Sequence, residues 1–143
     1  TVEMTLTRND CTADTPMSKR VFTVRIRNMA QRSVNINSQF LDPFLMLHIH
    51  TTAGQQLWPS TLPPSRPEKW PVSPKDVDVI GPLGSKTVTI KCDVLDANWD
   101  SQEYIVQCCY SGEGPIAPAE GTPELMRETV WSNHIVVPRV KHE

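Results

Sequence analysis

The chain has 143 residues, with 14 Lys and Arg against 16 Asp and Glu, for a formal charge of −2. This length suits one domain able to bury roughly two-thirds of its unfolded surface, and the charge excludes the basic footprint of a nucleic-acid or anionic-membrane binder. No apolar run approaches the roughly 18 residues that cross a bilayer, so no transmembrane segment is expected, and TVEMTLTRND at the start carries no signal-peptide core.

Thirteen prolines and the near absence of helix-length 3.6-residue apolar periods point to strands. The first is TVEMTLT, Thr1–Thr7. The chain opens there without an initiator Met, so a trimmed product is expected, its targeting segment removed. In RVFTVRIRN, Phe22, Val24 and Ile26 alternate with Thr23, Arg25 and Arg27, as a half-buried strand requires. Asn28 ends that strand, because a short amide bonds neighbouring backbone and favours turns. RSVNINS, Arg32–Ser38, follows. FLMLHIHTTAGQQLW, Phe44–Trp58, reads as a hairpin, with Gly54 supplying the positive φ of a tight turn. DVDVI, Asp76–Ile80, precedes a turn at Gly81–Gly84. SKTVTIKCDV then faces Val88, Ile90, Cys92 and Val94 inward. EYIVQCCY, Glu103–Tyr110, faces Tyr104, Val106, Cys108 and Tyr110 one way, and its apolar Ile105 suggests a central strand covered on both sides. VWSNHIVVPRV, Val130–Val140, closes the series, after a weakly marked helical turn at 124–129.

About eight short strands separated by turn signals predict an all-β fold, an antiparallel immunoglobulin-like β-sandwich in a single domain, 1–143. Two loops, 59–79 and 111–129, are longer than a sandwich needs and are the places to look for function.

Several residue groups could carry chemistry. His48 and His50 share the outward parity of their strand, about 7 Å apart, a spacing that could chelate Zn²⁺ or Cu²⁺ if a third ligand joined them. His134 would serve only if its strand lay beside theirs; otherwise both are simply solvent-facing. The cysteines, Cys11, Cys92, Cys108 and Cys109, form no CxxC and no zinc-finger spacing. The inward parity of Cys92 and Cys108 makes a Cys92–Cys108 bridge across the sandwich the natural pairing, with buried thiols acting as small apolar side chains as the alternative. There is no GxSxG, HExxH or phosphate-cradling glycine loop, so no enzyme and no cofactor is expected. In PSTLPPSRPEKWPVSP, Pro59–Pro74, proline lowers the ordering cost of presenting Trp58, Arg66 and Trp70 as anchors for a protein partner. The competing reading packs those tryptophans into a secondary core.

The succession FTVRIRNMAQRSVNI, FLMLHIHTTAGQQLW, IGPLGSKTVTIKCDV, EYIVQCCY and VWSNHIVVPRV resembles a bacterial immunoglobulin-like module. It is similar to the intracellular proteinase inhibitor family and to small domains of secreted or envelope proteins; residues 59–79 and 111–129 depart from the pattern. The resemblance implies a non-catalytic binding domain that is periplasmic, envelope-associated or secreted. A protease-inhibitor module is the alternative, and a metal-binding domain using His48 and His50 the third.

Overall fold

A computed structural model describes residues 2–9, 15, 19–37, 44–58, 69–92 and 102–139. Among these residues the fold is all-β, sandwich-like and mostly antiparallel, as the alternation predicts. The strands are β1 (Val2–Arg8), β2 (Val21–Asn28), β3 (Val34–Ile36), β4 (Leu45–Thr51), β5 (Gln56–Trp58), β6 (Trp70–Val72), β7 (Asp78–Ile80), β8 (Ser85–Lys91), β9 (Tyr104–Ser111), β10 (Ile116–Pro118), β11 (Thr129–Trp131) and β12 (Ile135–Val137). They exceed the expected eight because the closing strand splits and the long loops hold short strands of their own.

Of the two larger sheets, one has the order β1-β2-β8 and the other β11-β9-β4-β5, with β12 also on β9; β3 pairs antiparallel with β7, and β10 pairs in parallel with β6, in two small sheets. Strand β9 is therefore central, as Ile105 suggested. Val2, Met4 and Leu6 of β1, Phe22, Val24 and Ile26 of β2 and Ile90 of β8 form the inner face of the first sheet. Leu45, Leu47 and Ile49 of β4 with Tyr104, Val106, Cys108 and Tyr110 of β9 form that of the second, and the two faces share one apolar cluster. Burying each such side chain contributes about 1.5–3 kcal/mol.

The last strand is broken by a bulge. Trp131 pairs with Cys109 and Ile135 with Val106, so Ser132, Asn133 and His134 oppose only Gln107 and Cys108. Ser132 stays attached to β9: its Oγ accepts from Cys108 N at 2.8 Å, and its carbonyl accepts from Gln107 Nε2 at 2.8 Å. Asn133 turns to the other sheet, where its Oδ1 accepts from Leu6 N at 2.7 Å and its Nδ2 donates to Leu6 O at 3.0 Å.

The two long loops hold each other. β10 pairs in parallel with β6, Trp70 N donates to Pro115 O at 3.0 Å, and Ala119 N donates to Val72 O at 2.8 Å. The helical turn expected at 124–129 does not form. That segment is drawn out along its neighbours, with Met126 N donating to Asn35 O at 2.8 Å and Gly112 N to Glu128 O at 3.0 Å, and Leu125 is buried. Gly112 is required here, because a Cβ would collide with the Met126 carbonyl.

Asn28 does more than stop its strand. It is wholly buried, and its Nδ2 donates to the carbonyls of Arg32, Ile80 and Gly81 at 2.7, 3.0 and 3.1 Å, while its Oδ1 accepts from Ala30 N at 2.9 Å. One amide thus ties the end of β2 to the turn between β7 and β8. In that turn Gly84 N donates to Gly81 O, and Leu83 sits at φ 58°, a left-handed conformation costly to a branched residue.

Asn28→Ala should lower unfolding free energy in urea by about 3 kcal/mol, because buried carbonyls lose their donor. Asn28→Asp should cost more, since it sets a carboxylate against three carbonyl oxygens, and equal values for the two variants would contradict this geometry. Leu83→Asn should instead stabilise the protein by about 0.5–1 kcal/mol by relieving the left-handed strain; a loss in the same urea titration would show that the Leu83 side chain contributes packing.

Candidate functional site

The outer faces of the two sheets have opposite characters. On the β1-β2-β8 sheet the outward residues include Glu3, Arg25, Arg27 and Lys91 among threonines, all ordinary solvated surface. On the other sheet the outward strand residues are Met46, His48 and His50 of β4, Gln56 of β5, Ile105, Gln107, Cys109 and Ser111 of β9, Thr129 and Trp131 of β11, and Val136 of β12. None is Asp, Glu, Lys or Arg.

Two large apolar side chains of this face stand open to solvent, Trp131 at 48% and Val136 at 56%. Both owe their placement to the bulge. Unbroken alternation would give Trp131 and Ile135 the same face; the extra residue shifts the parity, so that Ile135 and Val137 turn inward and Val136 outward. The indole of Trp131 meets the imidazole of His48 edge-on, with ring centroids 4.8 Å apart and planes at 62°. Because β11 and β4 flank β9 on opposite sides, this ring pair spans β9. Such pairs contribute about 0.5–1.5 kcal/mol beyond their burial. Beside the ring pair lies a pocket of 350 Å³ lined by His48, His50, Gly54, Gln56, Gln107 and Trp131. Gly54 has the expected positive φ, 93°, in the hairpin that brings Gln56 back against His50.

His48 and His50 are therefore neighbours on one face, half-buried rather than fully solvated. His134 does not join them: its segment borders β9, which separates it from β4. Among the described residues no group of three His, Cys, Asp or Glu is placed to hold a metal ion.

The cysteines also take definite positions. Cys92 and Cys108 are buried on inner faces, as their parity predicted, but no bridge joins them; both are thiols, and Cys11 lies outside the described residues. Burial pushes the Cys108 thiol up to about 12, with the neighbouring Cys109 adding to the shift. Cys109 faces outward next to its pairing partner Trp131, yet it is only 6% exposed, and burial raises its thiol to about 11. These are neutral, weakly nucleophilic groups at ordinary pH, not reactive cysteines.

The tryptophans expected to anchor a partner are held against the body of the protein. Trp58 pairs with Ile49, Trp70 lies in the β6–β10 pair, and both are half-buried against the apolar cluster. This is a secondary-core arrangement rather than a presented surface. Arg66 lies outside the described residues, as does most of the proline-rich stretch. A second depression, of 680 Å³, lies between residues 30–35 and 124–128 and is lined by both signs of charge, including Arg32, Glu124, Arg127 and Glu128.

Among the described residues, fold and surfaces define an all-β, sandwich-like protein whose outward strand residues are charged on one sheet and uncharged on the other. No protein-family model matches the chain, and no curated protein is significantly similar to it.

Since a thiol reacts as its thiolate, alkylation of Cys109, followed by peptide mapping, should accelerate about tenfold per pH unit up to about pH 11. Trp131→Ala should raise the rate at pH 8 at least about tenfold by opening the cover, because thiolate access limits the reaction. Unchanged reactivity would mean that Trp131 does not shield Cys109.

Proposed function

We propose that this chain is a non-catalytic binding module that recognises another protein through the outer face of the β11-β9-β4-β5 sheet. The observation that carries the reading is the pairing of an uncharged strand surface with a half-exposed tryptophan, Trp131 of the edge strand β11, whose indole reaches across β9 to His48. Interface centres are depleted in charged residues and enriched in aromatic side chains and Met, with Trp, Tyr and Arg dominating the energy. Trp131 supplies the anchor, Val136 and Ile105 the apolar area, and Gln56, Gln107, His48 and His50 the polar atoms that fix register. The opposite sheet, with Glu3, Arg25, Arg27 and Lys91 outward, serves as the solvated back.

The partner surface that fits is apolar, with hydrogen-bonding groups and no net charge requirement. Rigidity favours this face over the proline-rich loop. Its residues stand on paired strands and lose little freedom on docking. The resemblance to bacterial immunoglobulin-like modules supports the same class of role and a periplasmic, envelope-associated or secreted setting. Trp58, Arg66 and Trp70 become secondary to Trp131 and Val136 in this reading.

The test compares two double variants, Trp131→Ala with Val136→Ser and, as the control face, Arg25→Ala with Arg27→Ala. Both should retain the wild-type melting temperature to within a few degrees, since all four side chains face outward. Cross-linking capture from the source organism should enrich a defined protein with wild type and with the arginine variant. The tryptophan variant should weaken that capture at least about tenfold, a loss of about 1.4 kcal/mol or more. Capture lost only in the arginine variant would reassign recognition to the other sheet.

A further inference from the structure

Arg20 is wholly buried, at 0% exposure, and its Nε, Nη1 and Nη2 all have no hydrogen-bond partner. A guanidinium in this state is rare, because buried charges are ordinarily paired and hydrogen-bonded. Lysine could escape by losing its proton; arginine keeps its charge in proteins. An uncompensated buried cation is strongly destabilising, and removal of one partner from a buried pair shows how much.

The backbone shows where this charge sits. The Arg20 carbonyl accepts from Cys92 N at 3.0 Å, one step beyond the Val21–Lys91 pair, so Arg20 continues the β2–β8 ladder. Counting back from Phe22, Val24 and Ile26, it shares their inward parity. On the other flank Arg8 pairs with Phe22 and is thus on the same inward face, diagonal to Arg20. Diagonal strand neighbours stand about 7–8 Å apart, within reach of long side chains. Arg8 Nη1 is likewise buried and lacks a partner. The inner face of the first sheet, apolar from Val2 to Ile26, therefore ends in two guanidinium groups. Among the described residues neither forms an ion pair with a carboxylate.

We propose that this end of the sandwich, at Arg20 and Arg8, binds a small oxyanion, a phosphate or a carboxylate. The guanidinium fork presents parallel N–H groups that match two oxygens of either. Two guanidinium groups on one inward face supply charge for an anion and exclude a cation. The site lies between the sheets, whereas the face assigned to partner recognition lies outside one of them, so neither site depends on the other.

Thermal unfolding of the wild-type protein at constant ionic strength, with inorganic phosphate titrated in one arm and acetate in the other, tests the proposal. Specific binding should raise the melting temperature by about 5 °C or more once the anion exceeds its dissociation constant a hundredfold. The arm with the larger shift identifies the chemistry. Arg20→Met, which keeps the length and removes the charge, should abolish the dependence; a dependence kept in full would mean a general salt effect and overturn the proposal. Calorimetric titration of wild type with each anion reads binding directly even if that variant does not fold, and absence of saturable binding in both arms overturns the proposal. In that event a fall in melting temperature for Asp10→Asn would identify the chain's own carboxylate, two residues beyond Arg8 in the sequence, as the counter-charge.

Discussion

Asn133 leaves the ladder of its own sheet to bind the backbone of the other, and the facing of the last strand follows from that exchange. Its amide reproduces for Leu6 the donor and acceptor that a neighbouring strand would supply. The excursion is accommodated by the bulge at Ser132–His134, and Ser132 keeps the chain registered on β9 through its hydroxyl and carbonyl. Net worth per hydrogen bond is modest, about 1 kcal/mol. The geometric effect is larger. With one extra residue, Val136 faces outward beside Trp131, while Ile135 and Val137 enter the interior. A single-residue shift of parity thus separates core from solvent-facing positions within eight residues of chain.

The same logic explains how two sheets with similar inner faces acquire different outer ones. Alternation requires only that one parity be apolar; the other is free to vary. On β1, β2 and β8 it is filled with Thr, Arg, Glu and Lys. On β4 and β9 it is filled with Met, His, Ile, Gln and Cys, a surface that water solvates less well. The ring contact between His48 and Trp131 crosses this face beside β9, where Cys108, Cys109 and Tyr110 are three consecutive buried residues in a strand that should alternate.

Much of this architecture is legible in the sequence, because it is local. Period-two patterns in Phe22–Ile26, Leu45–Ile49 and Tyr104–Tyr110 assign the inner faces correctly, and Gly54 marks its turn. What escapes depends on distant contacts. The pairing of Trp70 with Ile116 joins segments 46 residues apart, and neither segment carries a pattern that names the other. Proline density suggests presentation, but Val72 is buried and Trp70 packs inward, because β10 offers that loop a partner. The outward placement of Val136 beside Trp131 stays hidden as long as Val130–Val140 is read as one strand. Its signal is present in Ser132-Asn133, two residues whose side chains compete with backbone pairing. The cysteines show their parity but not their pairing: Cys92 and Cys108 face inward as thiols.

Leu6 and Asn133 are 127 residues apart. During synthesis the edge of β1 must wait 127 residues before its amide partner emerges, whereas β9 meets β11 and β12 much sooner, Ser111 with Thr129 and Val106 with Ile135. Chains dominated by such non-local pairings fold slowly, since loop-closure entropy is spent before the contacts form. For that interval the nascent first sheet has an open backbone edge at β1 and an uncovered apolar face, the two features that invite strand-to-strand aggregation. Yield of this protein is therefore a matter of timing: conditions that shield early strands, by chaperone capture or slower elongation at low temperature, act on the stretch of synthesis before residue 133 leaves the ribosome.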